Sequence, residues 1–520
     1  MSLKDMQQNN TQSNDTAQDK KIFSKGTLHD SAPQASNRPS SKGDQRTARM
    51  GTGSIPKLII EFAIPSIVGM LVNGAYNVID SIFLGQAMGE IGLSVATAAM
   101  PLMAIFMAIG MLIGNGGNAL AALRLGEGKK DEAEKSLGNT VGLGIVAAVI
   151  VFALANIPPC MEALLSLSSV TPQIHDYTYS FVYIISAGLI FQVIGMGVNN
   201  FIRTAGAPNR ALGTMLIGAF SCIGLNYLFV MVLGMGVIGS ALATVSGQAI
   251  SCICVLWYFI ITKDVAFKLH LKYLKLEATV VGFILSLGAA SCILQLAMSL
   301  INFLTNYLLV LYGAQSPLGA EAALASIGVV QRCAMFTVLP IIGTAVAIQP
   351  LLGYNYGASL IKRVRATLGY GILAATILGV VMWILIHVFA VNIVGFFGIR
   401  DDSLRDFTVF ALNVQLLMLP VVGLQIVSSH YFQATGQPMK SIILSLTRQV
   451  LFLIPLLIVL PVILPSLVPS LTSLDAIYFA VPIADFLAIV TSAAFVLVEL
   501  KRLKGIEEGT IKAKFGRNNA

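Results

Sequence analysis

Twelve apolar runs, each long enough to cross a bilayer as a helix, alternate with short polar interruptions along most of the chain. The predicted spans are 58–85, 93–123, 137–157, 173–199, 209–234, 238–262, 279–312, 320–350, 366–390, 406–428, 439–465 and 475–500. The first run, LIIEFAIPSIVGMLVNGAYNVIDSIFLG, is not uniformly apolar. Ser66, Gly69, Asn73, Asn77 and Asp80 recur at helical spacing and share one face, while Ile, Leu, Val and Phe cover the rest. A carboxylate within hydrocarbon costs about 2.5 to 3.5 kcal/mol on insertion scales. Asp80 is therefore expected to face a cavity or a bundle interior, and it is the leading functional candidate.

The polar interruptions sort by charge. One set carries Arg124, Lys129, Lys130 and Lys135, then Arg203 and Arg210, Lys263 to Lys275, Lys362 to Arg365, Lys440 and the basic C-terminus. In the other set, the loops near Glu90, Glu162, Gly236, Pro317 and Pro469 have no Lys or Arg, and Arg400 and Arg405 are offset by Asp401, Asp402 and Asp406. The positive-inside rule then puts both termini in the cytoplasm of a multi-pass cell-membrane protein. Residues 1–54 are too polar to bury a core and read as a disordered cytoplasmic tail, with a second tail at 504–520. LGEGKKDEAEKSLG from Leu125 aligns with YGASLIKRVRATLG from Tyr356, and FIRTAGAPNR from Phe201 with YFQATGQPMK from Tyr431, both offset by about 230 residues. A nearly constant offset spanning six helices predicts two lobes in the same orientation, 55–262 and 279–503, joined by a cytoplasmic linker at 263–278. The fold class is thus an all-α polytopic membrane protein: twelve transmembrane helices in two pseudo-symmetric six-helix bundles.

Composition narrows the function. With 56% hydrophobic and 11% charged residues among 520, the chain has no room for a large soluble domain. The net charge of +8 marks topology and does not point to nucleic acid. The six cysteines are scattered without a histidine cluster, so neither a metal nor a disulfide framework is expected. GEGKK after Leu125 lacks the spacing of a phosphate-binding loop, which argues against ATP-driven transport by this chain. Asp80, Asp485, His387 and His430 are too widely separated for a catalytic constellation, and no cofactor is expected.

The segments AIPSIVGMLVNGAYNVIDSIFLG, RLGEGKKDEAEKSLGN, NNFIRTAGAPNRA and MGVIGSALATVSGQ resemble the multidrug and toxic compound extrusion (MATE) family, in particular its MepA-like bacterial branch, over residues 55–500. The resemblance implies two lobes around a cleft open alternately to either side, and export of lipophilic, often cationic compounds in exchange for H⁺ or Na⁺. It assigns cation coupling to Asp80 and helix bending to Pro65. The fifth-helix position that is acidic in many relatives is Asn226 here, within LNYLF, and Cys222 stands where asparagine is common. Thr244 and Asn199 match expected polar positions of the coupling site, and Gln295 falls where another branch has a glutamate.

Sodium favours several hard oxygen ligands and anionic charge, so Asn226 and Cys222 weaken a caged Na⁺ site, whereas a proton needs only one titrating group. H⁺ is the favoured coupling ion, with Na⁺ the alternative. Tyr76, Asn77, Asn73, Met70, Gln248, Gln295 and Arg332 are candidates for lining the substrate cleft, and Arg332 is expected to pair with Asp485 by depth. The expected partners are lipophilic cations and the bilayer, and the expected state is a monomer. The competing functions are a lipid-linked oligosaccharide flippase of related architecture and a membrane-embedded enzyme.

Overall fold

A computed structural model describes residues 42–166, 170, 172–262, 264–317, 319–397, 399 and 401–511, with the side chains of residues 77, 90, 93, 320 and 321 left aside. The remainder of the two predicted tails, 1–41 and 512–520, and Arg400 lie outside the described residues, as does the side chain of Asn77. Among the described residues the structure is helical throughout, with no strand.

The first long helix, α2 (Ile55–Gly126), carries two spans, Ile55–Gly89 and Ser94–Gly126. They break apart at Gly89, whose φ of 59° and ψ of −135° are open only to a residue without a Cβ. Pro65 leaves no such mark, and the backbone stays helical through it. The first lobe continues with α3 (Lys130–Ala155), the short α4 (Pro158–Ser166), α5 (His175–Thr204), α6 (Pro208–Asn226) ending in a π-helical turn at Tyr227–Val232, and α7 (Gly236–Ile260). The second holds α8 (Ala278–Gly313), α9 (Ala320–Gly357), α10 (Ile361–Phe396), α11 (Asp402–Gln415), α12 (Leu419–Ala434), α13 (Pro438–Leu446), α14 (Ile454–Leu467) and α15 (Ser473–Glu507). A π-helical turn at Thr447–Leu453 joins α13 to α14 as one span.

Among the described residues eleven spans are single stretches, and a twelfth is a pair, α11 and α12, bent by 45°. The span expected at 406–428 falls on this bent pair. Pro420 has no N–H to offer the carbonyl of Leu416, which is met instead by the N–H of Leu419 in a tighter turn.

Large apolar side chains such as Phe220, Trp257, Phe303, Val388 and Val462 stand exposed around the bundle, as lipid contact requires. Inside, each lobe has its own core, around Leu84, Phe106 and Leu189 in the first and Leu309, Val330 and Tyr478 in the second. A third cluster joins them. Leu58, Phe62 and Leu123 pack there with Ile341, Leu352 and Val427. The seam is tight at the basic end, where a Cβ on Gly126 would lie 2.1 Å from the carbonyl oxygen of Tyr354, and again at mid-depth, where one on Gly288 would lie 1.7 Å from that of Leu112. Backbone meets backbone there, so the lobes cannot approach more closely.

The predicted disordered tail needs correction at its last turns. Lys42–Thr52 form a helix, α1, lying across the basic end. Its buried face is Gly43, Thr47 and Met50, and Met50 is 1% exposed within the cluster that joins the lobes. Gly43 lies against the backbone of Val265 and Ala266 in the linker, and Lys130 of the first lobe pairs with Asp44 at 3.7 Å. From the second lobe, Asn355 Nδ2 donates to the Met50 carbonyl at 3.1 Å, and Arg363 Nη2 donates to the carbonyls of Met50 (3.1 Å) and Gly53 (2.7 Å). One helix therefore holds both lobes.

Candidate functional site

The face of α2 that carries Asp80 turns toward α6 and α7, inside the first lobe. Asp80 Oδ1 accepts two hydrogen bonds, from Asn226 Nδ2 at 2.7 Å and from Ser240 Oγ at 2.8 Å. Asn226 is buried at the last turn of α6, immediately before the π-helical turn. The wider turn shifts the register of the segment that follows without ending the span. One turn back along α6, Cys222 Sγ lies 3.8 Å from Asn226 Nδ2 and shares a side-chain hydrogen bond with Thr244 of α7. Ser240 and Thr244 are four residues apart and so project from one face.

This group brings together three of the predicted residues, Asp80, Asn226 and Thr244, with Cys222 as their neighbour. It also includes Ser240, which sequence reasoning passed over. Three oxygen-bearing side chains and one thiol thus gather around a single carboxylate. The Asn226 amide oxygen is buried and without a hydrogen-bond partner. That lone pair is the spare acceptor of the site, open to a proton donor or to a cation, whose ligands of choice here are oxygens. Introducing a second carboxylate by Asn226→Asp is expected to create a Na⁺ site where the parent has only one anionic ligand. Na⁺-dependent thermal stabilisation should appear in the variant and be absent from the parent.

Asn199 is not part of this group. It is buried on α5, where its amide donates to the Ala211 carbonyl at 3.0 Å and to Thr214 Oγ1 at 2.7 Å. Thr214 precedes Asn226 by twelve residues, about 18 Å along α6. Asn73, Tyr76 and Met70 are partly buried on the helix that carries Asp80. Gln248, one turn beyond Thr244, has its amide oxygen buried without a partner, as does Gln192 on α5. Gln295 is partly buried on α8 and Arg332 is exposed on α9, both in the second lobe.

The expected pairing of Arg332 with Asp485 is incorrect. Arg448, in the π-helical turn between α13 and α14, donates its Nε–H to Asp485 of α15. Depth along a span matches several residues, and only helix packing decides which of them are neighbours. Asp485 is 4% exposed, so its carboxylate is desolvated, while the Arg448 side chain is partly exposed. Removing one partner strands a buried charge at a cost of about 3–5 kcal/mol, whereas replacing both with apolar residues relieves it. Arg448→Met should therefore lower the thermal unfolding midpoint sharply, and Arg448→Met with Asp485→Leu should recover most of the loss.

A second polar chain crosses the seam between the lobes. Arg203, 2% exposed, donates to Asn200 Oδ1; Asn200 donates to Asn115 Oδ1 at 3.0 Å; Asn115 donates to Ser291 Oγ at 3.1 Å. From the other side Gln433 Nε2 reaches the same Ser291 hydroxyl at 3.2 Å, and its own carbonyl accepts from Gln349 at 3.2 Å. The bond from Asn115 to Ser291 joins the lobes and must break if they separate.

The chain matches the family model described as MatE over residues 65–228 and 290–459. The "Multidrug export protein MepA" of Staphylococcus haemolyticus (strain JCSC1435) is 24% identical over 404 residues, covering 76% of this chain and 84% of that protein. The protein of the same name from Staphylococcus saprophyticus subsp. saprophyticus is 22% identical, over 80% and 89%. Among solved structures, the MATE multidrug transporter DinF-BH is 33% identical, with a TM-score of 0.77 over 86% of this chain and 96% of that one. An outward-facing multidrug resistance MATE family transporter of the MOP superfamily superposes with a TM-score of 0.80 at 22% identity, over 88% and 98%.

Proposed function

The chain belongs to the MatE family, a multi-span membrane transporter for multidrug export, and from that premise we propose that it exports lipophilic cations by antiport with H⁺. Multidrug export proteins of this family are transporters and not enzymes, which retires the membrane-embedded enzyme. The observation that carries the coupling assignment is the group around Asp80: one carboxylate, held by donors from two other helices, with an uncommitted amide oxygen alongside.

When Asp80 is charged, the Nδ2 face of Asn226 and the Ser240 hydroxyl stabilise it, and its charge attracts a cation into the first lobe. When Asp80 takes a proton, it becomes a donor itself. A half-turn of the Asn226 amide then presents Oδ1 to accept that proton, so the same side chain serves both states. Protonation removes the attraction for the cation, and drug and proton compete for one site. Na⁺ is the weaker reading because Asn226 and Cys222 supply no second anionic ligand.

Exchange requires the cleft to open to one side at a time. The tight seam at the basic end, with α1 across it, supports an arrangement closed on that side. With the basic end cytoplasmic by the positive-inside rule, the closed side is the cytoplasmic one. A flippase for pyrophosphate-linked sugars needs several free cations facing the cleft, and Arg448 is already committed to Asp485.

Efflux of a lipophilic cationic dye from reconstituted liposomes, under separately imposed H⁺ and Na⁺ gradients, tests the function. Dye movement driven by the H⁺ gradient at zero Na⁺ is expected. Movement driven only by Na⁺ at fixed pH would overturn the choice of ion, and movement under neither would overturn antiport.

A further inference from the structure

On the outer side of the second lobe, at its basic end, α10 and α15 diverge and leave a groove of about 420 Å³. Lys362 and Arg365, in the first turn and a half of α10, stand at its mouth, and Gly369 and Ile372 of α10 and Val496 and Leu500 of α15 line it. Lys362, Arg365 and Gly369 are exposed, and the same stripe of α10 continues into Leu373 and Ile377, exposed apolar residues of the bilayer-facing surface. From Lys362 to Ile372 the groove descends ten residues, about 15 Å, half of a hydrocarbon core of about 30 Å. Cations at the membrane surface over an aliphatic channel of that depth match a phosphate headgroup and its acyl chain.

The repeat shows what a filled groove looks like. Gly369 aligns with Gly138 of α3 in the first lobe. A Cβ on Gly138 would fall 2.6 Å from the Cβ and carbonyl oxygen of Tyr273, because the linker leaves α7 and lies over α3. In the second lobe the last helix runs on to Glu507, and among the described residues no segment lies over Gly369: a Cβ there would meet no atom within 4 Å. We propose that this uncovered groove is a binding site for an anionic phospholipid, which takes the place that the linker fills in the first lobe.

Glu507 faces both cations, 3.3 Å from Arg365 and 3.9 Å from Lys362, so the mouth retains one net positive charge. The Lys362 side chain is 83% exposed, free to turn toward a headgroup. The chain's own residues 512–520, outside the described residues, carry Lys512, Lys514 and Arg517 and no acid, which sets like charge against the mouth. An anionic lipid is the better complement.

Native mass spectrometry of the full chain released from mixed nanodiscs tests this, comparing phosphatidylglycerol with phosphatidylcholine of the same acyl chains. Retention of one phosphatidylglycerol in preference to phosphatidylcholine is expected, by about fivefold for one net charge. Lys362→Gln with Arg365→Gln should abolish the preference. Gly369→Leu, which fills open space and keeps both charges, should abolish retention of either lipid at this site. Arg405→Gln, at the opposite end, should change nothing. Equal retention of the two lipids, or undiminished retention by Gly369→Leu, would overturn the proposal. So would a preference that appears only after residues 512–520 are removed, since the tail would then be the occupant. None of these readouts depends on the coupling ion or the exported compound.

Discussion

Asp80→Asn should bind lipophilic cations on the order of 10²-fold more weakly than the parent and should show no gradient-driven efflux above protein-free liposomes. Two unit charges 4 Å apart attract by about 4 kcal/mol at an effective dielectric of 20, nearly three orders of magnitude in affinity, and desolvation takes back part of that. The substitution is isosteric. The Asn side chain keeps an oxygen to accept from Asn226 Nδ2 and Ser240 Oγ, so the helices it joins have no reason to separate. Equilibrium dye binding and efflux, measured beside the thermal unfolding midpoint, separate loss of charge from loss of fold. An unchanged midpoint with lost binding is the expected pair of results, and retained gradient-driven efflux would remove Asp80 from coupling.

Removing residues 1–53 should open the basic end. Two hydrogen bonds reach α1 from the second lobe and a third reaches Gly53 just after it, each contributing about 1 kcal/mol net, and the burial of Met50 adds about 1.5–3 kcal/mol. Part of this is regained when the freed groups meet water, and the population ratio of closed to open should fall on the order of 10²-fold. Spin labels at Asp131→Cys and Lys362→Cys, both exposed and on opposite lobes, would report the change as a longer distance in a background without the native cysteines. Arg363→Gln removes the donors to Met50 and Gly53 while leaving α1 in the chain, and should shift the same distribution by a smaller amount. A distance distribution unchanged by the deletion would show that α1 only rests on a seam closed without it.

The parts of this molecule legible in the sequence are those in which one residue is out of keeping with its surroundings. Asp80 is a lone acid in a hydrocarbon-compatible run, and its interior position follows from solvation cost alone. The lobes follow from two repeated segments at one offset, and the spans from length and hydropathy. Contacts between helices are a different matter. Ser240 was missed because a serine in a membrane helix ordinarily satisfies itself on its own backbone, as Ser66 does on the Phe62 carbonyl at 2.9 Å. Arg332 and Arg448 are both at mid-depth, and the choice of partner for Asp485 depends on which helix packs against α15. Asn199 lies next to an expected motif, yet its bonds go to the far end of α6.

Two further features lie in local chain chemistry. In α1 the apolar stripe consists of one large residue, Met50, between small and polar ones, too little for any periodicity to reveal. Its helix depends on docking, with Gly43 against the linker and two second-lobe side chains holding its last carbonyls. The bend between α11 and α12 follows from Pro420, a residue whose effect on a span depends on whether neighbouring turns rehouse the freed carbonyl.

The central assertion is that one carboxyl group trades a proton for a cationic substrate. Proton release on adding a lipophilic cationic dye to the purified protein, in weakly buffered detergent at a pH where Asp80 is protonated, tests it without a membrane or a gradient. Up to one proton per bound dye is predicted for the parent, with none from Asp80→Asn. Saturable dye binding by the parent with no proton released, across the pH range in which the protein stays folded, would contradict it.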